Sequence, residues 1–337
     1  MTEPLMLRPA EILSSSSSSG MGISYWSHFM GCSAKLVHSA RHPGSFALAE
    51  PGDKLNMTHV GVFFHKLREL WRLGKVLPPD KDNKFSAEVV IEFSGPFGNQ
   101  EWDEACRLFR AYTTKFSRKE WTTISAEEGF EFGCRECATT KQCATTKQWC
   151  GNIHDDFHRG DGSDDMCQKA RSSFWTFGVP CISGRWDEVA SISEEQREPL
   201  IASRQITLFD PGIYLVDAKT KGQRWTNVEE VFEVAQQFTL YNMAWTLLHP
   251  DRPSLGMIAD TVYAYKTAPR FESFLIRNTP AKEAILRSYL SKCWRNFLAN
   301  GFETNTDRCF DYNKTCYWMK SGVCNLLDTE ERHDGQE

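Results

Sequence analysis

No run of about 18 apolar residues occurs in this sequence, which excludes a membrane-spanning helix. Surplus positive charge is also missing: 39 Lys and Arg stand against 44 Asp and Glu, a net charge of −5. A chain whose main work is to grip nucleic acid or an anionic membrane surface has the opposite balance, so nucleic acid is not an expected partner. Several short catalytic patterns are absent too. There is no G-x-S-x-G elbow, no P-loop, no G-x-G-x-x-G after a strand and no H-E-x-x-H. At the N-terminus, Glu3, Pro9 and Glu11 break up any apolar stretch long enough for a secretory leader.

Cysteine and tryptophan, by contrast, are plentiful, at 12 and 11 residues. That cysteine content exceeds cytosolic custom and is compatible with secretion, although no leader assigns a compartment. Asn56-Met57-Thr58 and Asn313-Lys314-Thr315 fit the glycosylation acceptor pattern. Hydrophobic residues at 41% and charged residues at 25% are the proportions of a globular chain with a packed core.

Patterning divides the chain into a Ser-rich tail over 1–20, one globular domain over 21–327 and a polar tail over 328–337. Four segments carry helical spacing. In 59–73, Val60, Phe63, Phe64, Leu67, Leu70 and Trp71 form one apolar face, with His59 and His65 read as surface positions. Trp102, Ala105, Cys106, Phe109 and Tyr112 do the same in 100–116, and Cys106 reads as a buried thiol. A single helix is expected over 227–248, opened by a Thr226/Glu229 capping box. A fourth spans about 280–299, with Thr279 as cap and Pro280 in the first turn. Strand signals are fewer. Ala87, Val89, Ile91 and Phe93 alternate, and Ile206–Phe209 with Ile213–Val216 flank the turn residues Asp210-Pro211-Gly212, as in a hairpin. The expected fold class is α+β: a helix-rich core with a small antiparallel sheet or hairpin and a long cysteine-rich irregular segment at about 117–200.

That irregular segment contains the candidate chemistry. CATTKQ occurs twice in tandem, at 137–142 and 143–148, a local duplication that a surface loop tolerates better than a packed element does. Cys134 and Cys137 at C-x2-C spacing, with His154 and His158 at H-x3-H spacing, offer thiolate and imidazole to a tetrahedral zinc ion, and Cys150 could replace one of them. The competing use of these thiols is disulfide bridging, and Cys293, Cys309, Cys316 and Cys324 form a second group suited to it. Asp155, Asp156, Asp161, Asp164 and Asp165 crowd enough carboxylates together to attract Mg²⁺ or Ca²⁺. Asp155-Asp156-x4-Asp161 resembles the aspartate-rich motif of prenyl-diphosphate enzymes, and Asp187-Glu188 with Glu195 resembles the second metal motif of class I terpene synthases. In that family the two motifs face each other from long separate helices, whereas glycine-broken sequence joins them here, so the resemblance sets no expectation of fold.

The candidate catalytic residues are therefore His154, Asp155, Asp156 and His158, and the candidate metal ligands are Cys134, Cys137, Cys150, His154 and His158, with zinc as the candidate cofactor. The leading functional expectation is an enzyme using metal-assisted acid–base chemistry in the 130–200 region. Its alternatives are a disulfide-stabilised secreted binding or effector protein and an intracellular zinc-binding interaction protein.

Overall fold

A computed structural model of the chain describes residues 4–9, 11, 21, 23–27, 30, 55–82, 84–86, 88–92, 99–134, 168–206, 210–224, 227–233 and 235–300. Helices and strands are mixed in the α+β manner. By spatial grouping the chain divides into two compact units: residues 1–19, 49–130 and 184–284 form the first, and 20–48, 131–183 and 285–337 the second.

The first unit is built on a five-stranded sheet in the order β3-β4-β5-β6-β7. Its strands are β3 (Thr122–Gly133), β4 (Cys181–Ile192), β5 (Gly212–Lys221), β6 (Ser254–Tyr263) and β7 (Arg270–Ile276). β4 and β5 are antiparallel from Glu188↔Val216 to Ile192↔Gly212, β5 and β6 are parallel, and β6 and β7 are antiparallel. The expected 206–216 hairpin is thus replaced by long-range pairing. Ile213–Val216 takes its partners from β4 and β6, because Leu215 and Val216 are buried in mid-sheet, where both strand edges must be hydrogen-bonded. Residues 207–209 of the expected hairpin lie outside the described residues. A separate parallel pair joins β1 (Leu5–Leu7) to β2 (Val89–Ile91), so the segment expected to be a tail supplies a strand with Leu7 buried.

Helix α1 spans Ile23–Ser27. α2 (Met57–Arg72) and α3 (Asn99–Lys115) follow the expected apolar stripes. Val60, Phe63, Phe64, Leu67, Trp102, Leu108 and Phe109 fill one cluster that extends to Val262 of β6. Full burial of each such side chain contributes about 1.5–3 kcal/mol. Asn56 caps α2 by accepting from the Thr58 N–H at 3.0 Å, which engages the first glycosylation pattern in helix capping. α4 (Gln168–Phe177) precedes β4, and α5 (Glu194–Arg204) joins β4 to β5. Ser193 and Gln196 form a full capping box at the start of α5. Leu200, Ile206, Ala190, Tyr214 and Ile258 make a second cluster beneath it.

The helix expected over 227–248 divides into α6 (Val228–Glu233) and α7 (Gln236–Leu248). Ala235 between them is extended, with φ −68 and ψ 112. Residues six apart diverge around a continuous helix, but this break lets the Phe232 and Phe238 rings meet at 5.6 Å. Helix α8 (Pro280–Asn300) begins as expected, with Thr279 Oγ1 accepting from the Lys282 N–H. In the second unit, Trp294 of α8 packs edge-on against Trp26, whose indole donates to the Cys181 carbonyl at 3.0 Å. Gly133, at φ 92, lies so close to Pro180 that a Cβ would stand 2.0 Å from its carbonyl oxygen. None of the helices among the described residues is long and apolar enough to cross a membrane.

Beneath the sheet of the first unit, three guanidinium groups and three carboxylates are buried together. Arg204 of α5 reaches Asp260 at 2.5 Å and Glu120 at 2.7 Å, and Arg68 of α2 reaches Glu188 of β4 at 2.7 Å. Arg72 lies 3.7 Å from Glu188 and stacks over the Trp121 ring at 4.1 Å. The Tyr112 hydroxyl accepts from Arg68 and Arg204 and donates to Asp260. Burial opposes ionisation of Asp260, yet Arg204 and Arg68 overcome it and hold the carboxyl below its usual range. Substituting Arg204→Met would leave Glu120 and Asp260 without their nearest cation. The expected loss is about 3–5 kcal/mol of unfolding free energy in denaturant titration, and a loss under about 1 kcal/mol would show that the cluster is not under this constraint.

Candidate functional site

The β4–β5 ladder is shorter than the β5–β6 ladder. β4 pairs with β5 only as far as Glu188↔Val216, while β5 continues alongside β6 to Lys221. Where β4 departs, the Ala218 amide is satisfied by a side chain instead of a strand, donating to Asp187 Oδ2 at 2.9 Å. Asp187 therefore stands at the fork between the two strands. Asp217 and Lys219, two residues apart on β5, share one face of that strand, and their charged groups meet at 2.7 Å.

Helix α2 delivers the fourth group. His65 Nδ1 lies 3.2 Å from Asp187 Oδ2. The sequence reading placed His59 and His65 on the helix surface, and the structure corrects both. His59 is buried, and His65 is half-buried against Asp187 because its helix crosses the fork. A fifth group comes from β3: Glu127, together with His65 and Asp187, brings three ligand atoms within 4.8 Å of one another. Tyr241 of α7 lies in the same field, and its hydroxyl accepts from Gln237 Nε2 at 3.0 Å.

Electrostatics separate the two aspartates. Burial disfavours the Asp187 anion, but His65, Lys219 and the Ala218 N–H outweigh it, and the carboxyl sits well below its usual range. Asp217 moves the other way: burial and the neighbouring Asp187 raise it, against the pull of Lys219. Burial works against charge on Lys219, yet Asp217 and Asp187 raise its pKa above the ordinary lysine value, so it remains an ammonium ion. Burial likewise lowers His65, but Asp187 more than compensates and the net shift is upward. Glu127 is pushed up to about 7 by burial and by Asp187, against the opposing pull of Arg185. Tyr241, pushed up to about 12 mainly by burial, keeps its proton and can donate.

Such a group of carboxylate oxygens and one imidazole suits a hard divalent cation such as Mg²⁺ or Mn²⁺ better than a thiolate site would. With the Nδ1 side of His65 turned to Asp187, Nε2 is the nitrogen left to coordinate. The ammonium of Lys219 cannot act as a base and instead supplies fixed positive charge beside the cation.

Of the candidates read from sequence, only Cys134 is among the described residues. It follows β3 with a half-buried free thiol, and its backbone N–H donates to the Pro180 carbonyl. Cys137, Cys150, His154, Asp155, Asp156 and His158 lie outside the described residues. The other described cysteines, Cys106, Cys181 and Cys293, are buried. Asp187 belongs to a pattern visible in the sequence, whereas Asp217 and Lys219 belong to none named there and His65 reads as a surface position. The available signal was D-x-K on an apolar strand, which places an acid and a base side by side. No protein-family model matches the chain, and no curated protein does.

A raised carboxyl and a raised imidazole act in the same direction on metal-free stability. In each case the folded state holds more protons than the unfolded state between the two pKa values, so stability falls as pH rises. For Glu127 the window runs from the ordinary glutamate range to about 7. For His65 it opens near the ordinary histidine value and extends above it. The melting temperature of the chelator-treated protein should therefore fall between about pH 5 and pH 8, and His65→Ala with Glu127→Gln should flatten that fall. An equally steep profile in the double variant would remove these groups as its cause.

Proposed function

We propose that this chain is a divalent-cation-dependent hydrolase acting on the phosphodiester bonds of nucleic acid. The observation that carries the reading is the convergence of His65, Asp187, Asp217 and Lys219 at the β4–β5 fork. Carboxylates on adjacent strands can hold a cation, which lowers the pKa of a bound water and draws charge from a phosphoryl oxygen. A phosphodiester is already anionic, and its transition state gathers more negative charge around the phosphorus. The ammonium of Lys219, anchored by Asp217, meets that charge without reorganising. Acyl substrates, neutral at the reacting carbon, have less use for a second fixed cation beside the metal.

Net acidity of the whole chain weighs against a broad grip on nucleic acid, but not against hydrolysis at a metal site. A substrate held through a bound cation and a few local positive groups needs no broad basic face, and Lys221 and Arg185 add local charge near the fork. The Tyr241 hydroxyl, steadied by Gln237, can donate to a phosphate oxygen or to the attacking water.

The test is to incubate the purified chain with end-labelled single- and double-stranded DNA and RNA, in Mg²⁺, Mn²⁺ or EDTA. Expected is cleavage that needs the metal and falls by on the order of 10²–10³-fold in Lys219→Ala and in Asp217→Asn. Cleavage that persists undiminished in both variants, or no cleavage of any of these substrates, would overturn the proposal.

A further inference from the structure

Glu127 is in an unusual backbone state. Its φ is 54, and the other non-glycine residue with positive φ among those described is Gln205, which ends α5, where a left-handed residue is ordinary. Inside a strand the same conformation is strained, and such strain persists only where the surroundings enforce it. The carboxylate so placed has two claims on it. Glu127 belongs to the three-residue cluster with His65 and Asp187, and its Oε2 is held by Arg185 Nε at 2.7 Å.

Arg185 precedes Asp187 by two residues on β4, so the two side chains start from the same face of the strand. The Arg185 side chain is 44% exposed and that of Glu127 is 22% exposed, so the pair runs from the site outward to solvent. A divalent cation and the guanidinium compete for the single negative charge of this carboxylate, so ligation of the cation weakens its hold on Arg185. The planar fork of arginine also matches a phosphate group, which lysine does not.

We propose that the Glu127–Arg185 ion pair is a latch released by the metal. Without a cation, Glu127 occupies the guanidinium. A divalent cation draws the carboxylate inward as a ligand, and the freed Arg185 grips a phosphate of the substrate strand. This inference rests on the hydrolase reading above and adds to it a coupling between metal and substrate. Coupling of that kind is reciprocal, so the strand must tighten the metal by the same factor.

A double-mutant cycle tests it. The probe is a short fluorescein-labelled single-stranded oligodeoxynucleotide, with anisotropy read in EDTA and in Ca²⁺, and with the probe checked for integrity on a gel. In EDTA, Glu127→Gln should tighten binding by about tenfold, since Arg185 is then free. In the Arg185→Gln background the same substitution should change nothing. Ca²⁺ should tighten the wild type more than it tightens Glu127→Gln. Glu127→Asn, which tolerates the left-handed backbone, is the second variant should the glutamine form not fold. Equal tightening in both backgrounds would show simple removal of a repelling charge and overturn the latch. So would no tightening in either background, provided the wild type binds in Ca²⁺, and the hydrolase reading would then stand. If the wild type fails to bind in both Ca²⁺ and EDTA, both proposals fall together.

Discussion

The first unit depends on the burial of three guanidinium groups with three carboxylates. Charges removed from water in this way are tolerated only when each finds an opposite charge and its remaining polar atoms find donors or acceptors. Arg68, Arg72 and Arg204 come from two helices, whereas Glu188 and Asp260 come from two strands and Glu120 precedes a third. Any shift of a helix along the sheet would strand a charge. Apolar packing such as that of Phe63 and Phe109 adds stability but tolerates small displacements better than charge pairs do. The cluster thus fixes the register in which α2 lies against β4.

That register is what creates the candidate site. His65 lies one helical turn before Arg68, and Asp187 lies one strand position before Glu188. When Arg68 meets Glu188 at 2.7 Å, His65 is brought to Asp187 at 3.2 Å. The same two elements therefore meet twice, once in a buried pair that serves architecture and once in a half-buried pair that can serve chemistry. The β4–β5 fork does the rest. By ending the ladder at Glu188 it leaves the Ala218 amide to Asp187, beside the Asp217–Lys219 pair.

Some of this could be read from the amino-acid sequence. α2, α3 and α8 fall within two residues of their expected limits, because each has a solvent side and a core side that write a helical period. β4 could not be read in that way. Nine of the twelve residues from Cys181 to Ile192 are buried, and Arg185, Asp187 and Ser191 are too few to write an alternation along the strand. Trp186 appeared to stand in irregular sequence, yet it is buried against Phe130 and Trp245. The break between α6 and α7 was hidden for a related reason, since the apolar pattern runs straight through it. For the site, the densest cysteine, histidine and aspartate cluster in sequence lies outside the described residues apart from Cys134. The described constellation instead draws one or two residues from each of α2, β3, β4 and β5, and only long-range pairing brings them together.

Under the proposed hydrolase reading, charge placement is how so few groups would favour phosphoryl chemistry in an acidic chain. Asp187 is held as an anion by His65, Lys219 and a backbone amide, and Asp217 is left with a raised affinity for positive charge. A cation entering the fork relieves the burden on Asp217 and Glu127 together, so it gains from groups that the metal-free fold keeps uncomfortable. Lys219 gains nothing from leaving, because two carboxylates hold it charged. The fork therefore joins a stable fixed positive charge to a site whose remaining negative charge calls for a second, mobile one. That pairing is the electrostatic complement of an anionic substrate whose reaction adds further negative charge.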